Sequence, residues 1–320
     1  MKKTTRTLLG IGGAFCLIGA LLFGIGFMSG GTKYVHATNL NSMNAQEDNK
    51  ESANRFTLKK TEIPDFTSLN INLEDSDLNI ESPNEKSYIE YAQATKDKKN
   101  PVSYFIENGT LTLKEAGNTG ASYYINVDIS FLQAALSSKN IEDYTKESSK
   151  YENYVTLYLP KDKLVSPAKI YLGYGDFYVK NAAFDTINIK LDDGDFDANT
   201  LTANSGKLTF SYGDCDLQKA SLGNISLTSK DGDLTVNELT LSGKTKIALS
   251  YGDTEITLND STKKVSGFDL ATHYGTITAS GLNGNKTLDE DDDVNTFQSD
   301  SKDGKTKLSI DSKDGDITVK

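Results

Sequence analysis

The octapeptides YGDFYVKN (residues 174–181), DGDFDANT (193–200), YGDCDLQK (212–219), DGDLTVNE (231–238) and YGDTEITL (251–258) decide how this chain folds. Each has Gly-Asp at its second and third positions. The glycines of these pairs, with that of the Gly-Thr at 275, fall at 175, 194, 213, 232, 252 and 275, in steps of 19, 19, 19, 20 and 23. A sustained period near 20 marks a solenoid, because one such unit cannot bury its apolar face alone and must stack on its neighbours. Gly315 lies 40 residues beyond Gly275, which predicts two further periods, with the acidic run Asp289–Asp293 bulging out between them.

Apolar residues alternate on both sides of each glycine: Ile187, Ile189 and Leu191 lead in, Phe196 and Ala198 lead out. Period two means strands. The residue after Gly-Asp forms the column Phe177, Phe196, Cys215, Leu234, Thr254 and Ile317, and two residues on come Val179, Ala198, Leu217, Val236, Ile256 and Val319. Both columns are predicted to face a core. The residues between them, such as Tyr178, Asp197, Asp216 and Glu255, should face solvent. Each period then reads as a strand, a sharp bend at Gly-Asp, a second strand and a looser turn marked by Gly206, Gly223, Gly243 or Gly267. The predicted fold is all-β, a parallel β-solenoid with repeats of roughly 19–20 residues.

Two readings of the recurring aspartate compete. Glycine reaches backbone conformations closed to other residues, and an adjacent aspartate accepts hydrogen bonds from backbone N–H groups in a bend. That structural reading accounts for both residues. The alternative is a cation ladder in which Asp176, Asp195, Asp214, Asp233 and Asp253, with Asp192, Asp193 and Asp231, supply oxygen ligands for Ca²⁺. Calcium-binding β-rolls, however, repeat every nine residues with denser glycine. Tyr174, Tyr212, Tyr251 and Tyr274 alternate with Asp193 and Asp231 just before the glycine, predicting tyrosine on one edge at every second coil. Such a stripe either shields the bend or stacks against a glycan or protein.

The 320 residues carry a formal net charge of -11, which argues against a nucleic-acid partner, since phosphate binding needs a basic surface. Residues 7–28, TLLGIGGAFCLIGALLFGIGFM, contain no charge and are long enough to cross a bilayer as a helix. Lys2, Lys3 and Arg6 precede them, which predicts a cytoplasmic N-terminus and an extracellular remainder. The rival is a cleaved signal peptide ending at VHA (35–37), but the apolar run exceeds the usual length. The division expected is a cytoplasmic tip and transmembrane anchor at 1–31, a flexible polar tether at 32–54, an N-terminal part of the β-repeat body with an insertion at 55–160, and regular repeats at 161–320.

These residues resemble the bacterial DUF4097 family, β-strand-repeat proteins often labelled adhesins. The likeness runs through INLEDSDLNIES (71–82), NGTLTLKE (108–115), VTLYLP (155–160) and the ending KLSIDSKDGDITVK (307–320), with Ser76 where later repeats have glycine. The resemblance implies a β-solenoid at the cell envelope, no established enzymatic activity and no catalytic residues to carry over. Residues 84–153 depart from it as a long insertion with a short helix expected at FLQAALSS (131–138), forming a side lobe or lid.

Little in the chain supports catalysis. Its two histidines are His36, in the tether, and His273, placed just before a bend, so a nucleophile–histidine site would depend on His273. Cys215 sits in a core column, and zinc, P-loop and dinucleotide signatures are absent. No cofactor is expected. Carboxylates are numerous enough for a polysaccharide-active enzyme, yet one per turn in register is what a repeated bend produces. The function expected is non-enzymatic recognition or adhesion at the bacterial envelope, with an envelope component or surface protein as partner and the membrane engaged through the N-terminal helix. The alternative is an envelope-stress sensor acting through a membrane partner.

Overall fold

The computed structural model describes residues 55–95, 100–115, 153–289 and 293–320. The span 7–28, Cys16, the tether with His36, and most of the 84–153 insertion with its expected helix lie outside the described residues. Among the described residues no helix is long and apolar enough to cross a membrane.

The described chain is all-β and built of parallel rungs. On the long face, strands that precede the glycines pair in register: Ser68–Leu73 with Ala168–Tyr174, then Ala182–Asp193, Leu201–Phe210, Ala220–Asp231 and Lys244–Tyr251. On the short face the strands after the glycines do the same, from Asp77–Asn84 through Phe177–Val179, Phe196–Ala198, Cys215–Leu217 and Leu234–Leu241 to Thr254–Leu258. The two predicted inward columns are buried throughout, from Phe177, Phe196 and Ile317 at 0% exposure to Cys215, Leu234 and Thr254 at 2%. Phe177 and Phe196 stack with ring centroids 5.0 Å apart, so one residue type recurring at one column position becomes continuous packing.

The regular rungs have three faces, not the two expected. Ala182–Phe184, Leu201–Ala203, Ala220–Leu222 and Leu239–Leu241 pair with one another as a third face, which Leu164–Val165 extends. Gly206 and Gly223 therefore lie inside continuous strands at the corner between the side and long faces, where their neighbours' backbones approach closely, rather than in loose turns. In the rung of Thr254–Leu258 a short helix, Asp260–Val265, stands in for the side strand. It is capped by Asn259, and Thr262 Oγ1 accepts a hydrogen bond from Leu241 N on the rung before.

Rung order also departs from chain order. The C-terminal strands Lys307–Asp314 and Ile317–Val319 do not stack beyond the 267–279 rung. They insert beneath it, pairing in parallel with Lys244–Tyr251 and Thr254–Leu258 on one side and with Gly267–Tyr274 and Ile277–Ala279 on the other. The expectation of two further periods past Gly275 is thus corrected. The intervening residues form a hairpin, Asn285–Asp289 with Val294–Ser299, that pairs antiparallel on Gly267–Tyr274 and closes that end of the stack.

Antiparallel strands also finish the opposite end. Thr110–Glu115 lies parallel on Ser68–Leu73 and Val102–Glu107 antiparallel on it, while Tyr154–Pro160 is followed outward by Tyr88–Ala94 and Arg55–Glu62. Three strands of the stretch read as an insertion, 88–94, 102–107 and 110–115, therefore belong to the sheets. This corrects the side-lobe reading for those residues: their apolar side chains, Ile89, Tyr91, Val102, Leu111 and Leu113, are needed to cover the first rung.

Candidate functional site

The glycine-aspartate corners stack into one edge. At Gly194, Gly213, Gly232, Gly252 and Gly315 φ runs from +116° to +144°, a region that side chains with a Cβ rarely enter. Stacking makes a second demand. A Cβ on Gly213 would sit 2.2 Å from Gly194 O, and one on Gly232 would sit 2.0 Å from Gly213 O. Each glycine thus lets one rung's backbone rest on the next.

The aspartates tie those rungs together. The backbone N–H of Asp176 donates to Asp77 Oδ1 at 2.9 Å, and those of Asp195, Asp214, Asp233, Asp253 and Asp316 each donate at 2.8 Å to the aspartate of the preceding rung in space. The expected bend-capping role is present, but each carboxylate caps the neighbouring rung's bend instead of its own. Such charge-assisted bonds satisfy a corner N–H that no strand ladder reaches.

Both departures from Gly-Asp fall at the ends. Thr276 occupies the last rung, where its N–H and Oγ1 donate to Asp316 Oδ1 and no further rung needs a cap. Ser76 occupies the first rung, where it has no glycine corner to rest on. There Glu115, from the end strand, accepts from Glu74 N at 2.6 Å, Asp75 N at 2.9 Å and Ser76 Oγ at 3.2 Å. Burial holds the Glu115 carboxyl above its ordinary range despite those donors.

The position before the glycine makes the exposed rim. Register places Tyr174 beside Asp193, Asp231 beside Tyr251, Tyr251 beside Asp314 and Asp314 beside Tyr274. Tyr212 falls between Asp193 and Asp231, since the pairs on both sides of it keep one offset. In space the rim therefore reads Tyr, Asp, Tyr, Asp, Tyr, Asp, Tyr. In the chain Tyr251 and Tyr274 are successive, and only the inserted Asp314 restores the alternation. The four tyrosines are 47–67% exposed.

The edge is electrostatically crowded. Partial burial, then Asp216, Asp195, Asp176 and Asp214 nearby, raise the Asp197 carboxyl above the usual carboxylate range. Tyr178 donates to Asp176 Oδ2 at 2.9 Å, and burial followed by that carboxylate pushes its phenol up. Of the proposed calcium ligands, Asp176, Asp195, Asp214, Asp233 and Asp253 line up on this edge with each Oδ1 engaged by a backbone N–H. Asp193 and Asp231 lie on the rim, and Asp192 instead accepts from Tyr171 and pairs with Lys190. Among the described residues no group of three or more His, Cys, Asp or Glu side chains is arranged to hold a metal ion.

The remaining candidates lie apart. Cys215 is buried, and burial pushes its thiol far above the ordinary value, so no thiolate is offered. His273 is exposed, its Nε2 3.9 Å from Asp311 Oδ1. Sequence reasoning missed Asp77, Asp316 and Glu115 as members of the ladder. For the first two the signal was present in S-D-L at 76–78 and G-D-I at 315–317. Glu115 has none, because its part depends on an end strand laid beside the first rung.

Residues 66–320 match the family model described as Toastrack DUF4097. No curated protein matches the chain. Solved structures similar to it include a candidate cell adhesion protein from Clostridium sporogenes (12% identity, 83% of this chain and 98% of that one, TM-score 0.33), a candidate adhesin from Bacteroides fragilis (10%, 83% and 97%, 0.40) and a candidate lipid binding protein from Parabacteroides distasonis (13%, 83% and 97%, 0.38).

Proposed function

The chain belongs to the Toastrack DUF4097 family, and from that premise we propose that it is a non-enzymatic recognition module of the bacterial cell envelope. The observation that carries this reading is the rim of alternating exposed tyrosine and aspartate, held at one spacing by stacked backbone. Rungs about 4.8 Å apart repeat each side chain type every ~10 Å, a spacing suited to an extended or repetitive partner. The carboxylates of the ladder cap backbone, which supports a structural part for them rather than a catalytic one.

In this reading residues 7–28 anchor the chain, residues 32–54 carry the body away from the bilayer, and the stack projects outside the cell. The test is binding of the full chain to isolated cell envelopes. Saturable binding that weakens when Tyr212 and Tyr251 are replaced by alanine is expected, and binding that never saturates would remove the reading. Anchoring is tested separately by protease protection in intact cells, where an accessible C-terminal body with a protected N-terminus is expected.

A further inference from the structure

The outward side chains of the long face form two files parallel to the stack. In the first, register places Asn70, Lys169, Asn188, Lys207, Ser226 and Lys246 side by side on successive rungs. In the second, two residues along, come Asn72, Tyr171, Lys190, Thr209, Thr228 and Ala248. Neither stretch holds a carboxylate, in a chain of net charge -11. Over these six rungs the two files carry lysine and no acid; Asp192 lies outward of Lys190, and the next rungs bring Asp311 beside Ala248 and Asp269 beside Ser309.

The lysines are also periodic. Lys169, Lys207 and Lys246 fall on alternate rungs, and each begins the pattern Lys-x-x-x-x-Tyr-Gly-Asp. Between them lie rungs with Asn188 and Ser226 at the lysine position, and Ser309 follows Lys246; all three of these rungs have Asp-Gly-Asp at the edge. The repeat over these rungs is thus two rungs; the inserted C-terminal rung keeps the rim in phase, while the lysine file ends there, since Asp269 stands beside Ser309 on the rung beyond. All three lysines are exposed and have no ion-pair partner among the described residues, whereas Lys190 is held by Asp192 at 2.7 Å. A shallow groove of about 370 Å³ begins the file, with Asn70, Asn72, Lys169, Asn188 and Lys207 in its wall.

Unpaired surface lysines alone mean little. Here their spacing carries the argument: two rungs of about 4.8 Å put one ammonium every ~10 Å along a line, with a neutral hydrogen-bonding side chain midway. The rim carboxylates lie five residues along each strand, roughly 16 Å away, beyond a screening length of about 8 Å at physiological ionic strength. A negative ligand on this face would feel the lysines and little of the acidic edge.

We propose that the long face binds an extended acidic glycan laid along the stack, carrying one anionic group for every two sugars. Each anion meets Lys169, Lys207 or Lys246, and sugar hydroxyls between them meet Asn188 and Ser226. The proposal rests on the recognition reading above and adds to the rim a second contact face with its own ligand class. A one-dimensional file with no exposed aliphatic side chain larger than Ala248 suits a polymer strand better than a bilayer, which an amphipathic surface enters with bulky apolar groups.

The experiment titrates the full chain, reconstituted in neutral phosphatidylcholine nanodiscs, with hyaluronan oligosaccharides, which carry one carboxylate per disaccharide, and with neutral dextran and anionic phosphatidylglycerol vesicles. Expected is hyaluronan binding that strengthens with each added disaccharide up to about three, weakens with salt, and falls at least about tenfold when Lys169, Lys207 and Lys246 are all replaced by alanine. A control triple replacement of Lys219, Lys263 and Lys264 should leave it unchanged. Equal binding of dextran, preference for vesicles, or an unaffected lysine-file variant would overturn the proposal. If wild type and the Lys207→Glu chain bind isolated envelopes equally, this inference falls and recognition stands; if wild type binds no envelope, both fall.

Discussion

Gly213 and Asp214 show what one corner asks of its residues. Alanine at Gly213 meets both a φ of +117° and the oxygen of Gly194, so Gly213→Ala should cost at least the ~1–3 kcal/mol of a strained backbone, read by chemical denaturation. Asp214→Ala leaves the N–H of Asp233 without its acceptor and should cost about 1 kcal/mol. Asp214→Asn keeps an oxygen acceptor and relieves crowding among like charges, so it should be near neutral. A carboxylate essential to an active site would give the opposite: asparagine and alanine equally disabling and neither unstable. Asp197 tests the electrostatics of the same edge. Its folded pKa is raised, so it favours the folded state when protonated, and its contribution is lost as pH rises through that raised value. Melting temperatures measured from acid to neutral pH should show Asp197→Asn gaining on wild type as pH rises, with no gap at acid pH. Asp269 has the reverse sign: Lys307, hydrogen-bonded to it, lowers its pKa, and its contribution fades as pH falls.

At the scale of the strand, the inserted C-terminal rung is the element on which the last part of the stack depends. Deleting residues 300–320 removes the shared partner of Lys244–Tyr251 and Gly267–Tyr274 and leaves two unsatisfied strand edges. Hydrogen exchange should then show lost protection at 245–256 and 268–279, while 182–217 stays protected; uniform protection throughout would contradict the insertion. The two columns after the glycines were legible because alternation in phase with a fixed period leaves one assignment of faces. The third face was not read, although a signal exists. Buried apolar side chains step by three from Phe184 to Ile187 and from Leu222 to Ile225, and such a slip in an alternating run marks a corner. The rung order was illegible for a different reason. Parallel pairing is set in space by matched columns, and Ile317 fits beside Thr254 as well as beside Ile277, so distance along the chain does not say which neighbours it has.

For the whole molecule, the repeat that matters is longer than the one the sequence announces. A 19-residue period sets the rung, but charge and aromatic character follow two rungs, and they do so without interruption only because Asp314 lies between Tyr251 and Tyr274. The rim and the ladder were readable as recurring residue types. Their meaning was not, because a carboxylate that caps a neighbouring rung and one that binds a cation look alike until the acceptor's partner is seen. The account stands on that rung order, and paired cysteines test it most directly. With Cys16 and Cys215 replaced by alanine, Tyr251→Cys with Asp314→Cys places two thiols on adjacent rungs, within the usual Cα separation of about 4.4–6.8 Å for a disulfide. Tyr251→Cys with Tyr274→Cys places them two rungs apart, about 10 Å, too far to bridge. Oxidation should link the first pair and leave the second free; a bridge between 251 and 274, with none between 251 and 314, would contradict the structure and the alternation built on it.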